Sequence, residues 1–242
     1  MRAAFKKQAD QNTVIIQEHL GEFIEGTWFL ARKCSNVIDS YLCSLPASSE
    51  KEAHIITLLR NTVSDLCCCL DTLERGAERT LVNNLRMTFE DYCLGLQVQF
   101  DPKAYDLFLK EDLQTPKAVT FAKKLKIGFE DFGILYRHFS KISHNSQLEL
   151  LARQVVSIQD GVVQYTHLKA INPDRLIPQI SNLSFIAFLL MEIGLLVEEI
   201  CISQNATLHF GEKTTEGYKK RLDTPGAIFL IKLLDKAEVI FS

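Results

Sequence analysis

The chain has 242 residues, 47% hydrophobic and 24% charged, with six prolines and eleven glycines. That composition builds a core and excludes a disordered chain. With 27 Lys and Arg against 30 Asp and Glu, the net charge of −3 excludes a coat of basic residues for non-specific nucleic-acid binding, but leaves room for a local basic patch.

Residues 2–44 place Val14, Ile15, Leu20, Phe23, Ile24, Trp28, Leu30, Ala31, Val37, Ile38, Tyr41 and Leu42 at helical spacing. They predict one long helix, with Gly21 and Gly26 as its weak points. Pro46 and the Ser48-Ser49 pair close it. Either serine can cap the next helix, whose first turn holds Glu50 and Glu52, charges that suit the positive end of the helix dipole.

In that second helix Ile55, Leu58, Leu59, Val63, Leu66, Cys69, Leu70 and Leu73 form an inward stripe, and Gly76 breaks it. A third helix follows through Leu81, Val82, Leu85, Phe89, Tyr92, Cys93 and Leu96 and stops by Asp101-Pro102. Arg86 and Glu90 lie at i and i+4 among these core-facing positions. Residues 103–111 predict a short helix. Thr115-Pro116, a capping residue followed by proline, opens another over 117–125.

Lys126 to Gly128 reads as a turn, and residues 129–143 as a helix carrying Phe129, Phe132, Leu135, Tyr136, Phe139 and Ile142. Two alternatives stand for the next stretch. Val155–Ile158 and Val162–Tyr165 around Asp160-Gly161 fit a small β-hairpin at residues 155–165. A helix continued through Leu148 to Val156 competes with it. Asn172-Pro173 ends this region. Residues 174–203 form a long apolar helix with Ser181, Phe185, Phe188, Met191, Leu195 and Val197 among its members and no Lys or Arg between Arg175 and Lys213, hence a core element. Thr224-Pro225 starts a last helix through Lys236.

The expected fold class is therefore all-α, a bundle of long antiparallel helices, with the hairpin as its one β element. No repeat or composition shift divides the chain. It is read as a single domain over residues 1–242, with a long N-terminal helix over 2–44, a core over 50–203 and an appendage over 206–242.

The seven cysteines, an odd number, include the adjacent Cys67, Cys68 and Cys69 and show no zinc-like spacing. They read as small buried hydrophobes in a reducing compartment. The N-terminus has no apolar run of a signal peptide. The most apolar stretch, Leu183 to Ile200, is interrupted by Ser184, Glu192, Glu198 and Glu199, which fits a buried helix better than a membrane span. The chain is read as cytoplasmic, with no membrane contact. The three glutamates lack an accompanying Glu-x-x-His and read as solvent-facing. There is no phosphate-binding glycine loop, GxSxG, HExxH or EF-hand run, so neither a cofactor nor a metal ion is expected.

Chemistry concentrates in Tyr136-Arg137-His138-Phe139-Ser140-Lys141-Ile142-Ser143-His144-Asn145. On a helix, Tyr136, Ser140 and His144 follow one another at i, i+4 and i+8, and Arg137 lies nearly in line with His144. From Lys117 to Arg153 there are seven Lys or Arg against three Asp or Glu. Lys123, Lys124, Lys126 and Lys141 are the candidates for contact with a phosphate backbone. An ordinary solvated helix face has the same composition.

Arg137, six residues and His144 resemble the Arg-x(4–6)-His motif of the HEPN superfamily, helical proteins that include metal-independent ribonucleases. The residue after the arginine is polar, His138, as in that family. Arg86-x-x-x-Glu90, followed on a later helix by Tyr136-x-x-Phe139-Ser140-x-x-x-His144, resembles helical proteins of the abortive-infection and mobile-element neighbourhood. That second similarity spans residues 50–203.

The resemblance implies an endoribonuclease or toxin, acting in phage defence, with RNA as its substrate and a homodimer as its working form. Arg137 would hold phosphate through its planar donors, and His144 would move the proton, its ordinary pKa lying near neutrality. Arg86, Glu90, Tyr136, His138, Ser140 and Asn145 would support them. The alternative is a non-catalytic interaction protein, a sensor, adaptor or antitoxin-like partner of another protein. In it the same residues form a buried polar network that sets helix register.

Overall fold

The second helix shows how the pattern becomes packing. Of its eight predicted inward residues, Ile55, Leu59, Val63, Leu66, Cys69, Leu70 and Leu73 are buried, and Leu58 is half-buried. Burying an aliphatic side chain of this size contributes roughly 1.5–3 kcal/mol. The computed structural model describes residues 2–43, 50–125, 136–137, 156–159, 162–165, 170–174 and 176–203. Within them the helices are α1 (Arg2–Leu42), α2 (Glu50–Glu74), α3 (Glu78–Phe100), α4 (Ala104–Leu109), α5 (Thr115–Leu125) and α6 (Ile177–Ser203). Tyr136 and Arg137 are also helical. The architecture is an all-α bundle.

The strands β1 (Val156–Gln159) and β2 (Val162–Tyr165) pair antiparallel, with Gln159 opposite Val162. The hairpin is thus formed at the place where the pattern allowed it.

Thr13 reaches Glu74 and Asp39 reaches Arg60, so α1 and α2 are antiparallel. Lys51 reaches Gln99, and Leu59 lies beside Gly95, so α3 turns back again. The helix α6 arrives after a long connection and runs in the same direction as α1. Asn12 meets Ile171 at one end, and the Cys34 thiol lies 2.9 Å from the Leu190 carbonyl further along. The helix α2 sits centrally, touching α1, α3 and α6, while α5 packs on α3. The buried apolar residues of α1, α2, α3, α5 and α6 form one continuous cluster.

Of the described helices, α6 is the one long and apolar enough to cross a membrane, with mean hydropathy 2.1 over Ile177–Ile200. In this bundle 67% of that window is buried in the protein, and a core helix has the same length and composition.

Several boundaries and positions differ from the pattern. The helix α1 stops at Leu42. Val14 is 55% exposed, because Asn12, Ile16 and Leu20 occupy the inward line and Asn12 is fully buried. Leu195 is also exposed. The helix α4 is shorter than 103–111. The Gln114 carbonyl accepts the N–H groups of Lys117 and Ala118, so α5 begins at Thr115 and not at 117. The Asn172 side chain accepts the Asp174 N–H in a local turn, which delays α6 to Ile177. Among the cysteines, Cys34, Cys69 and Cys93 are buried, Cys67 is half-buried, and Cys43 and Cys68 are exposed. Residues 129–135, 138–150 and 204–242, with the helices expected there, lie outside the described residues.

Gly76 ends α2 in the left-handed region, φ +68°. The Gly76 N–H donates to the Leu73 carbonyl, and that of Ala77 to Thr72, the paired closure of a Schellman turn. A Cβ at Gly76 would stand 2.6 Å from Asn12 Nδ2 and 2.9 Å from Ile171 Cδ1, so glycine is required here for space as well as for dihedral angle.

Candidate functional site

On α3, Arg86, Glu90 and Cys93 recur at i, i+4 and i+7 and share a stripe beside the apolar line of Leu85, Phe89, Tyr92 and Leu96. Arg86 Nε donates to Glu90 Oε1 at 3.0 Å. The Tyr136 hydroxyl donates to the same oxygen at 2.6 Å. One carboxylate oxygen therefore joins α3 to the helical turn of Tyr136 and Arg137. Arg86 and Glu90 keep 23% and 17% of their side-chain surface, so their charges are partly desolvated and the pairing counts for more than an exposed ion pair.

The Tyr136 ring is held from more than one side. Phe89 lies 5.3 Å from it, centroid to centroid and tilted, and Phe89 in turn touches Phe185 of α6 at 5.6 Å. The Lys123 ammonium, from the last turn of α5, stands 5.9 Å above the Tyr136 ring centroid. Residues of α3 and α5 thus converge on one phenol.

Burial pushes the Tyr136 phenol up to about 12, helped by the hydrogen bond and charge of Glu90 and opposed by Arg86. For Arg86 the largest single effect is burial, which disfavours its charge. The bond to Glu90 and the contact with the Tyr136 hydroxyl outweigh it and leave the guanidinium above its ordinary pKa. The cluster therefore holds a firmly cationic Arg86 and a neutral Tyr136 at physiological pH. Burial also raises the Cys93 thiol, with Glu90 adding to the effect and Lys123 opposing it. That thiol stays protonated and is no nucleophile.

No family model matches the chain, and neither a curated protein nor a solved structure does so. The site therefore rests on its own geometry.

Of the sequence candidates, the structure brings together Arg86, Glu90, Tyr136 and Lys123. Arg137, next to Tyr136, is exposed, and Lys124 is exposed on α5. His138, Ser140, His144, Asn145, Lys126 and Lys141 lie outside the described residues. Among the described residues no group of three or more His, Cys, Asp or Glu is arranged to hold a metal ion.

Two contacts, one in the site and one elsewhere on α3, were not legible as such. Phe89 reads as plain core, yet it is the surface on which Tyr136 rests. Glu192 corrects the solvent-facing expectation: it is half-buried, and the fully buried Tyr92 hydroxyl donates to its Oε2 at 3.3 Å. The available signal was a carboxylate inside an apolar helix with no Lys or Arg along it. Glu198 is half-buried, and of the three only Glu199 is exposed.

Proposed function

We propose that the chain is a metal-independent endoribonuclease of HEPN type, working as a homodimer. In this reading Arg137 binds the scissile phosphate, His144 carries the proton, and Arg86 and Glu90 clamp the helical turn of Tyr136 and Arg137 onto α3. The observation that carries it is the 2.6 Å bond from Tyr136 to Glu90. It fixes the segment whose next residue, the exposed Arg137, is the motif arginine. A guanidinium at a fixed position offers planar donors to a phosphate and to the charge that builds in its transition state. Such an activity fits a toxin or phage-defence effector acting on cellular RNA.

The test is cleavage of RNA by the purified chain in EDTA, with 2′,3′-cyclic phosphate ends as the product of attack by the ribose 2′-hydroxyl. His144→Ala and Arg137→Ala, each matched to the parent by circular dichroism, should lose on the order of 100-fold or more in rate. Undiminished cleavage by His144→Ala would remove the mechanism.

A second reading is favoured by a different aspect of the same cluster. Arg86 and Tyr136 converge on Glu90 inside the protein, as they would in a network whose role is to set helix register. The chain would then be a non-catalytic interaction protein. It would show no cleavage and would co-purify in a defined stoichiometry with a protein partner.

A further inference from the structure

Lys123 is one of the four lysines named as candidates for contact with a phosphate backbone, and charge alone gives all four the same task. Its placement separates it from its neighbour. It follows Ala118, Val119 and Ala122, the residues that bury α5 against the core, and it is itself half-buried, whereas Lys124 is exposed. From the last turn of α5 the Lys123 ammonium stands 5.9 Å over the Tyr136 ring. That distance falls within the ~6 Å over which a ring quadrupole attracts a cation, a contact that strengthens as water is excluded. The ring it covers is the one resting on Phe89, with its hydroxyl bound to Glu90.

We infer that Lys123 is a positioning residue of the candidate site, holding the Tyr136 ring against α3, and is not one of the residues that bind the nucleic-acid backbone. The inference deepens the ribonuclease reading and rests on it for any catalytic consequence, but the contact itself is testable without RNA. Lys124 remains the backbone-facing cation of the pair.

The experiment is a double-mutant cycle read by thermal unfolding. Lys123→Gln should lower Tm by about 2 °C in the parent and by nothing in a Tyr136→Leu background, while the loss should persist in Tyr136→Phe, which keeps the ring. Lys123→Arg, still cationic, should restore the parent value. With RNA, Lys123→Gln should lower kcat several-fold and leave KM and its salt dependence unchanged. Lys124→Gln should raise KM and make the salt dependence shallower by about one unit of slope. An equal loss of Tm in the parent and Tyr136→Leu backgrounds would overturn the inference. So would a Lys123→Gln variant that weakens RNA binding with a shallower salt slope and an unchanged kcat. If the parent neither binds nor cuts RNA, the ribonuclease reading fails, and the thermal cycle still decides the role of Lys123.

Discussion

The Tyr136 hydroxyl and Glu90, 46 residues apart in the chain, meet at 2.6 Å on an oxygen that Arg86 also uses. A hydrogen bond to a charged acceptor contributes about 1.5–3 kcal/mol. Tyr136→Phe, which keeps the ring and deletes the donor, should therefore cost about 1.5 kcal/mol in urea or thermal unfolding. The phenol pKa rises from 10 to about 12 on folding, so the folded state holds the proton more tightly than the unfolded chain. Its contribution is complete below pH 10 and is lost as the pH climbs through 12. The stability difference between parent and Tyr136→Phe should be level up to pH 10 and shrink between 10 and 12. The buried Tyr92, also raised, titrates in both proteins and cancels in the difference.

The parts of this molecule legible in the sequence are those set by local period. The stripes of α2 and α3 are visible because each inward residue repeats every three or four positions, and the Arg86–Glu90 pair because i and i+4 are neighbours on any helix. The hairpin at β1 and β2 was legible only as one of two options, since a run of short apolar residues suits either structure. The Tyr92–Glu192 bond was not legible. Its partners are 100 residues apart, and no periodicity records which helix will lie opposite. The difference between Lys123 and Lys124 was hidden for the same reason: adjacent lysines carry identical charge, and only tertiary packing separates them.

Gly76 turns the α2–α3 corner at φ +68° directly against Asn12. Gly76→Ala adds left-handed strain to a Cβ clash and should cost about 2–4 kcal/mol, read as a lower urea midpoint with an unchanged slope. Gly95 is the control. Its added Cβ would meet Leu59 at 3.4 Å, an ordinary contact in mid-helix. Gly95→Ala should stabilise the chain by about 0.5–1 kcal/mol through backbone entropy. A Gly76→Ala variant as stable as Gly95→Ala would show that the corner relaxes freely.

Glu74, at the same corner, ties α1 to the end of α2. Trp28 Nε1 donates to its Oε1 at 2.9 Å, and Gln17 Nε2 to its Oε2 at 3.0 Å. Glu74→Ala leaves the indole without that acceptor and should cost about 1–3 kcal/mol. Trp28 is the only tryptophan, so its fluorescence reports this corner alone. The variant should unfold earlier, and its native emission should shift to the red as water replaces the carboxylate. An emission maximum identical to the parent's would mean that the indole is held by its packing and not by Glu74.

Asp91 tests the opposite sign of charge effect. Burial, then the nearby carboxylates of Asp65 and Glu90, raise its pKa above the ordinary 3.8. The folded state binds this proton more tightly than the unfolded chain, so ionised Asp91 weighs against folding at neutral pH. Its penalty is lifted as the pH falls through the folded-state value toward 3.8. Asp91→Asn should therefore be more stable than the parent at pH 7, by about 0.5 kcal/mol for a half-exposed like-charge contact. The advantage should narrow as the pH is lowered and disappear near 3.8, where both proteins carry a neutral side chain in the folded and increasingly in the unfolded state. Raising the salt concentration at pH 7 should narrow it as well, because the Asp65 contribution is screened while the burial contribution is not. An Asp91→Asn variant less stable than the parent at pH 7 would show that the carboxylate has a stabilising partner whose contribution exceeds this repulsion.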